Sequence, residues 1–372
     1  MKHVLGRSLA LLTLVGLGAC AGGPRGVVPM VGERFFVAGY HPYWAGEEAW
    51  SDYPFDALDR LYFFEIEAAR DGTLGDPHGW PEQWTGLAER ARERGVDLVP
   101  TLSMHGVEGF QELFGSPDAV SRLVDEAVAL LRTTPGLGGL HLDFEVFSPV
   151  EQDVRDGYLQ FVARLSRRMT AMDPSYTLSA FVLAFDDDDV YAERPLSELV
   201  DYLVVQGYDY HSAGEPNTGP VAPLSGWGRL NWSYVVDRFL SFGVPARKIV
   251  MAAPLYGYEW PTDTDEPGST TRGQGTEIVL APRPEVVPEL SRAPDMADLH
   301  GLRRDPVSGS PYYVFRDQSG WHQGWFEDAE SLRAKYRFVR ERGLGGIAIF
   351  PLAYGDTGHW RDLEEAFRLP RE

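Results

Sequence analysis

Eight apolar segments alternate with charged, amphipathic segments along most of the chain, and this alternation constrains the fold more than any other feature. The apolar segments are rich in β-branched and aromatic residues, which is typical of buried strands. They cover residues 35–40, 60–68, 97–103, 138–145, 176–184, 202–210, 248–256 and 345–352. Strands that alternate with helices form parallel sheets, and eight of them close a (β/α)8 TIM barrel. An open doubly wound sheet is the alternative, but it requires a glycine-rich phosphate-binding loop after the first strand, and GYHPYW is not such a loop.

Three of the connecting segments carry residues that begin or end helices. Ser116 precedes Pro117 and an amphipathic run, as expected of an N-cap residue with proline at the first helical position. Ser148 and Glu151 have the spacing of a capping box before a second amphipathic run. A third run carries its Lys and Arg late and ends at Gly343. These patterns predict helices after the third, fourth and seventh strands.

Residues 257–326 interrupt the alternation between the seventh and eighth strands. The segment is rich in Pro, Gly and Asp, and it contains two stretches with strand or hairpin patterns, TEIVLA and PYYVFRDQSGWHQGWF. It is too long to be a simple connection between two elements. The sequence therefore predicts a small α+β insertion over the carboxyl end of a single barrel domain, which spans residues 35–372.

The amino-terminal segment has the pattern of an export signal followed by a tether. Basic residues precede an apolar run that is too short to span a bilayer, and the run ends at Cys20, the single cysteine of the chain. This pattern resembles a bacterial lipoprotein signal, whose cysteine is lipidated; a plain secretory signal is the alternative. We expect residues 1–20 to be the signal peptide and residues 21–34 to be a flexible tether. The expected location is the cell envelope, as a membrane-anchored lipoprotein that is periplasmic or surface-exposed.

The charge of the chain argues against some classes of partner. The net charge is −21, with 34 Lys and Arg against 55 Asp and Glu, so no excess of cations is available for nucleic acid or for an anionic membrane surface. A single cysteine also excludes an intramolecular disulfide. We expect no nucleic-acid partner, membrane contact only through the lipid anchor, and a monomeric protein.

The fourth strand segment, GGLHLDFE, carries three ionisable side chains on one face. His141, Asp143 and Glu145 alternate with Leu, Leu and Phe. In a barrel the apolar face packs under the helices and the other face lines the interior, with Glu145 nearest the open carboxyl end. Asp143 and Glu145 then lie close enough for each to shift the pKa of the other. A partly buried Glu beside a second carboxylate suits a general acid for glycosidic cleavage.

Several segments together resemble glycoside hydrolase family 18, the chitinase-like family. GGLHLDFE is similar to the family's D-G-x-D-x-D-x-E strand, VAGYHPYW to its first strand, VVQGYDYH to its sixth, APLYGYEW to its seventh and ERGLGGIAIFPLAYGD to its eighth. The last segment, with WFEDAESLRAKY before it, most resembles the bacterial branch that includes spore-cortex and peptidoglycan-acting members. The resemblance extends over nearly all of residues 35–370.

This resemblance implies retaining hydrolysis of β-1,4 bonds next to N-acetylglucosamine, assisted by the substrate and without a cofactor or metal. The acetamide of the sugar before the scissile bond would attack its own anomeric carbon to give an oxazolinium ion. By position, Glu145 would be the acid and then the base, Asp143 would bind the acetamide N–H, and Tyr208 would donate its hydroxyl to the acetamide oxygen. The other residues expected to bind substrate are Tyr40, Trp44, Gln206, Asp209, Tyr256 and Phe350.

The chain departs from the family pattern at four positions. Gly138 and His141 stand where the family has its first two Asp residues, Gln206 replaces a Met, and Phe350 replaces the Trp that floors the sugar subsite. A protonated His141 would pair with Asp143 and hold it ionised and away from the substrate. We therefore expect His141 to modulate activity, with turnover rising as its imidazole loses a proton.

Two other functions are compatible with the sequence. A non-catalytic carbohydrate-binding barrel of the same family usually lacks the catalytic Glu, whereas Glu145 is present. A metal-dependent barrel hydrolase requires a His/Asp cluster spread over several strand ends, which this pattern does not provide, and FDDDDVY at 185–191 lacks EF-hand spacing. Chitin-type and peptidoglycan-type substrates are not distinguished by these patterns.

Overall fold

The computed structural model describes residues 35–46, 49–281 and 290–368. The expected signal peptide (1–20), its Cys20 and the tether (21–34) lie outside these residues and stay predictions. Within the described ranges, the apolar stretches of the helices are too short for any of them to span a bilayer.

Eight parallel strands close into a barrel, and six further strands form a second sheet. In chain order the strands are β1 (Phe36–Pro42), β2 (Arg60–Glu67), β3 (Asp97–His105), β4 (Gly139–Glu145), β5 (Thr177–Val182), β6 (Tyr202–Val205), β7 (Ile249–Pro254), β8 (Tyr256–Thr262), β9 (Thr276–Val279), β10 (Ser291–Arg292), β11 (Arg303–Arg304), β12 (Pro311–Asp317), β13 (Gly320–Trp325) and β14 (Gly346–Phe350). The order around the barrel is β1-β14-β7-β6-β5-β4-β3-β2. This closed barrel confirms the predicted fold class.

Helices connect the barrel strands and cover their outer face. In the described residues they are α1 (Thr85–Glu93), α2 (Val107–Phe114), α3 (Pro117–Thr133), α4 (Gln152–Met172), α5 (Glu193–Leu199), α6 (Trp232–Ser241), α7 (Ala293–His300), α8 (Ala329–Glu341) and α9 (Thr357–Phe367). All except α7 lie between barrel strands or directly after the last one, which is the alternation that the sequence predicts.

One of the two predicted helix starts is confirmed and the other is wrong. Ser116 is the N-cap of α3 and accepts a hydrogen bond from the Ala119 N–H at 3.3 Å. The expected capping box of Ser148 and Glu151 does not form, because α4 begins only at Gln152, with Glu151 in an extended conformation at the N-cap. The side chain of Val150, two residues before the helix, is buried.

The two faces of β4 point as the alternation predicts. Phe144 packs outward, with its ring centroid 5.2 Å from that of Phe114 on α2 and 5.9 Å from that of Phe161 on α4. His141 points into the barrel, where its ring stacks on Tyr62 at 4.2 Å. The ionisable face of β4 is therefore the interior face.

The sixth strand is shorter than predicted and leads into the site through an irregular segment. β6 ends at Val205. A Cβ at position 207 would lie 2.1 Å from the carbonyl oxygen of Ala252, so only Gly207 allows the chain to pass this close to β7. Asp209 has a left-handed backbone with φ of 58°, which no strand accommodates. The chain therefore turns at this point and presents Tyr208 and Asp209 at the barrel end.

The insertion forms a six-stranded sheet in the order β10-β9-β8-β13-β12-β11, with α7 beside it. The predicted seventh strand is divided near Leu255, so this sheet begins at Tyr256. TEIVLA supplies β9, and the longer stretch forms the antiparallel hairpin of β12 and β13. Trp260 and Trp325 are fully buried in this sheet, so they pack the insertion and are not available as sugar-stacking surfaces.

Candidate active site

A cavity of about 540 Å³ opens at the carboxyl end of the barrel strands. Because these ends meet at one rim of a TIM barrel, residues from distant parts of the chain come together there. Eight of the residues predicted from the sequence line this cavity: Tyr40, Asp143, Glu145, Gln206, Tyr208, Asp209, Tyr256 and Phe350.

Asp143 and Glu145 are among the last three residues of β4, and their side chains enter the cavity at different depths. The side chain of Glu145 is 20% exposed, whereas Asp143 is buried and its Oδ1 has no hydrogen-bond partner in the described residues. Burial, and after it the charge of Glu145, raises the pKa of Asp143 well above its usual value. Burial therefore favours the protonated form of the Asp143 carboxyl group.

A cluster of tyrosines surrounds Asp209 on the opposite side of the cavity. The hydroxyl groups of Tyr256 and Tyr258 donate to Oδ1 of Asp209 at 2.9 and 3.0 Å. Burial raises the pKa of Asp209 to about 6, although these hydrogen bonds oppose the shift. Burial also raises the pKa of Tyr208 well above its usual value, so its hydroxyl stays a hydrogen-bond donor throughout the physiological pH range.

Aromatic rings form the floor and one wall of the cavity. Phe350, at the end of β14, lies nearly parallel to Tyr208, with the ring centroids 5.8 Å apart, and it contacts Tyr40 edge-on at 5.5 Å. Trp44 is not among the lining residues. Its indole is 40% exposed and meets Phe64, which does line the cavity, edge-on at 5.8 Å. Trp44 therefore lies at the rim, where a longer ligand would reach it.

His141 does not pair with Asp143, contrary to the expectation from the sequence. The Tyr40 hydroxyl lies 2.9 Å from its Nε2, and the Ser179 hydroxyl lies 2.9 Å from its Nδ1, so both ring nitrogens have hydrogen-bond partners away from Asp143. Burial lowers the pKa of His141 to about 3. The imidazole is therefore neutral under most conditions, and the expected proton-dependent pairing with Asp143 is corrected to a structural role inside the barrel.

Two ionisable residues beside Glu145 are not among those predicted from the sequence. His105, at the end of β3, lies between Glu65 on β2 and Glu145 on β4, with its ring nitrogens 3.2 and 3.4 Å from their carboxylate oxygens. His105 falls just beyond the predicted third strand. Glu65 lies within the predicted second strand, where the sequence pattern assigns it no role. Their position at the carboxyl ends of neighbouring strands is the signal that could have identified them.

Among the residues that the structure describes, two clusters of side chains have the spacing of metal ligands, with candidate atoms within 4.8 Å of one another. The first is Glu65, Glu67 and His78; the second is Asp186, Asp189 and Glu193. None of these six residues lines the cavity. In the second cluster, the carboxylate of Asp186 already accepts hydrogen bonds from the Val190 and Tyr191 N–H groups. In the first cluster, the Glu65 carboxylate is hydrogen-bonded to His105 and the His78 ring stacks on Tyr43 at 3.6 Å, so we assign neither cluster as a metal site.

Sequence comparison identifies bacterial and animal relatives. The chain is 25% identical over 337 residues to the "Cortical fragment-lytic enzyme" of Bacillus anthracis, which covers 85% of this chain and 69% of that protein. It is 30% identical over 285 residues to the "Putative sporulation-specific glycosylase YdhD" of Bacillus subtilis (strain 168), covering 73% of this chain and 61% of that one. The chain thus spans between three fifths and seven tenths of the length of these two relatives.

Solved structures share the fold. The C-terminal domain of a putative chitinase from Desulfitobacterium hafniense DCB-2 superposes with a TM-score of 0.73 at 24% identity, covering 90% of this chain and all of that domain. The spore cortex-lytic enzyme SleL from Bacillus cereus superposes with a TM-score of 0.71 at 21% identity, covering 90% of this chain and 75% of that one. The model of the glycosyl hydrolases family 18 matches residues 49–355. On this match, which covers most of the barrel, the chain belongs to glycosyl hydrolase family 18.

Proposed function

We propose that this protein is a retaining glycoside hydrolase that cleaves β-1,4 bonds next to N-acetylglucosamine with the assistance of the substrate. The observation that carries the proposal is the convergence of Glu145, Asp143 and Tyr208 on one cavity whose floor is aromatic. Membership of a glycosidase family supports hydrolysis as the reaction class. The acetamide mechanism and the substrate are the parts that we propose.

In the first step, Glu145 gives a proton to the leaving oxygen while the acetamide oxygen attacks the anomeric carbon. The glycosidic bond breaks, and an oxazolinium ion forms. Burial favours the protonated form of Asp143, so the Asp143–Glu145 pair retains a proton more readily than two isolated carboxyl groups. This proton passes from Asp143 to Glu145, which delivers it to the leaving oxygen. Once its proton has passed to Glu145, the Asp143 carboxylate accepts a hydrogen bond from the acetamide N–H, and its negative charge offsets the positive charge of the oxazolinium ring.

In the second step, the Glu145 carboxylate takes a proton from water, and the resulting hydroxide opens the oxazolinium ring at the anomeric carbon. Two displacements on the same carbon retain its configuration. A neutral amide is a weak nucleophile unless it is held within about 3–3.5 Å of the carbon that it attacks. The Tyr208 hydroxyl, as a permanent donor, supplies this positioning, and Asp209 is fixed beside it by Tyr256 and Tyr258.

The substrate class that we propose is a glycan with N-acetylglucosamine in the reacting position. The relatives' names include both cortical fragment-lytic enzymes and chitinases. Chitin-type oligosaccharides and the glycan strands of peptidoglycan both contain N-acetylglucosamine in β-1,4 linkage. Phe350 and Tyr40 offer stacking faces for the sugar rings in either case.

The proposal is tested by product analysis on chitooligosaccharides and on purified peptidoglycan, with proton NMR to follow the anomeric configuration. We expect the first-formed products to be β-anomers and the reacting sugar to require its acetamide. A matched substrate that carries a free amine at this position should not be cleaved. Products with inverted configuration, or equal cleavage of acetylated and deacetylated substrates, would point to a different nucleophile and overturn the mechanism.

We also propose that the mature protein is attached to a membrane through lipid on Cys20 and acts in the cell envelope as a monomer. The lipoprotein-like pattern before Cys20 supports this proposal. A single acyl-modified cysteine provides membrane affinity without a spanning helix. The Gly- and Pro-rich tether of residues 21–34 would leave the barrel free to reach a polymeric glycan.

A further inference from the structure

His105 lies between two glutamates at the carboxyl end of the barrel. It is the last residue of β3 and stands opposite Glu145 of β4 in the sheet register. Its Nε2 is 3.2 Å from Oε2 of Glu65, and its Nδ1 is 3.4 Å from Oε1 of Glu145. The side chains of Glu65 and Glu145 are only 10% and 20% exposed, so both carboxylates have limited access to water.

This arrangement favours the imidazolium form of His105. A neutral imidazole has one N–H donor and could satisfy only one of the two carboxylates, whereas the imidazolium donates from both nitrogens. The interactions with Glu145, an ion pair, and then with Glu65, a hydrogen bond, raise the pKa of His105 to about 10, against the opposing effect of burial. The same interaction with His105 lowers the pKa of Glu65, although burial opposes it.

We propose that His105 is a positioning residue for Glu145: anchored by Glu65, its imidazolium holds one oxygen of the Glu145 carboxyl and sets the upper pH limit of activity. This inference rests on the proposed function, in which Glu145 is the acid and then the base. With Oε1 held by His105, Oε2 is the atom that exchanges a proton with the leaving oxygen and with water. The positive charge also stabilises the carboxylate form that acts in the second step.

The other groups that face His105 do not oppose its imidazolium form. They are Glu65 from β2, Asp143 and Glu145 from β4, and the ring of Phe64, whose centroid is 6.4 Å away. Burial favours the protonated form of Asp143, and the two carboxylates that contact the imidazolium are those of Glu65 and Glu145. Among the described residues, His105 is the single cationic side chain that forms an ion pair with Glu145.

The charge of His105 therefore makes the Asp143–Glu145 pair lose its proton at lower pH than it otherwise would. Replacing His105 by Gln should let the pair keep its proton to higher pH. The alkaline limb of kcat/KM should then move upwards by about 1–2 pH units, the range expected for a unit charge at this distance in a partly exposed site. His105→Lys keeps the charge and should keep the wild-type limb, even if kcat falls.

The chain offers a matched control in the inserted sheet. His322 also lies between two carboxylates, with its nitrogens 3.5 Å from Glu259 and 3.3 Å from Asp317, but neither of these carboxylates lines the cavity, whereas Glu145 does. His322→Gln should leave the whole pH profile unchanged. A limb that stays in place in H105Q, or that moves equally in H105Q and H105K, would overturn the proposal, because a structural role affects both variants alike.

A second measurement does not depend on activity. NMR of labelled histidine, assigned with H105Q, should show His105 protonated up to about pH 9 and should show its midpoint falling in both Glu145→Gln and Glu65→Gln. By linkage, the fall in E145Q equals the effect of His105 on Glu145. A neutral His105 at pH 7, or a midpoint that E145Q leaves unchanged, would overturn the proposal. If no glycan with N-acetylglucosamine is cleaved, the proposed function fails, and this titration still decides the role of His105.

Discussion

Replacing Tyr208 by Phe isolates the contribution of one hydroxyl to substrate assistance. Within the described residues this hydroxyl makes no hydrogen bond to another protein group, so its removal leaves no buried partner unsatisfied. The ring packs against Phe181, Tyr256 and Phe350, with centroids 6.3, 5.9 and 5.8 Å away, and phenylalanine fills the same space. We therefore expect the melting temperature of the variant to stay close to that of the wild type.

The magnitude follows from the role that we assign to the hydroxyl. Because its pKa is raised well above the usual value, the group donates throughout the assay range and meets an acetamide oxygen that shares the charge of the transition state. A hydrogen bond to a charged group contributes about 1.5–3 kcal/mol, so kcat/KM should fall by roughly 10–150-fold. A thiazoline mimic of the oxazolinium ion should lose binding by a similar factor. Steady-state kinetics and calorimetric titration measure the two quantities, and unchanged kcat/KM with unchanged mimic affinity would refute the placement of the acetamide against Tyr208.

Three further predictions concern other parts of the chain. Because burial lowers the pKa of His141 to about 3, His141→Asn should leave the acid limb of the pH–rate profile between pH 4 and 7 in place. In the unfolded state His141 binds a proton below about pH 6.5, whereas in the folded state it does so only near pH 3. Wild-type stability should therefore fall as the pH drops from about 6.5 to about 3, and thermal melts should show a shallower fall in H141N. Cys20→Ser should release the protein from membranes, or block its maturation, without changing the activity of the barrel, and detergent-free fractionation checks this; a wild-type protein that is already soluble and unlipidated would contradict the lipoprotein proposal. Lys335 and Glu327 form a fully buried ion pair at 2.6 Å, so Lys335→Met should lower the free energy of unfolding by about 3–5 kcal/mol, and denaturant titration that finds no loss would contradict this account.

Much of the fold follows from the sequence because the barrel strands are short and buried on both sides. The alternation in GGLHLDFE places Phe144 under the helices and His141 in the interior, as the structure shows. The sixth strand was predicted too long because its apolar pattern continues past Val205. By Asp209 the backbone is left-handed, with φ of 58°, and Gly207 passes close to Ala252 of β7. The second feature is a contact between segments more than 40 residues apart, which no local pattern contains.

The site residues that lie in family motifs can be predicted from the sequence. Those that meet only through the register of the sheet cannot. Eight lining residues were named from segments that resemble family 18 strands. His105 was missed because its partner Glu145 stands opposite it only through the pairing of β3 with β4. The role expected for His141 was wrong for a related reason. Its hydrogen-bond partners, Tyr40 and Ser179, lie on β1 and β5, which are distant from His141 along the chain, so the sequence pattern around Asp143 does not indicate them.

The turnover of Glu145→Gln, compared with the wild type and with His322→Gln on the same acetylated oligosaccharide, tests the central claim most directly. Glutamine keeps the shape of the side chain and removes only the exchangeable proton, so the folded variant should still bind the oligosaccharide. We expect its kcat to fall by at least about 10²–10³-fold, the contribution of a general acid and base, while H322Q keeps the wild-type rate. A well-folded E145Q protein with near-normal turnover would show that another group carries the proton and would contradict the account.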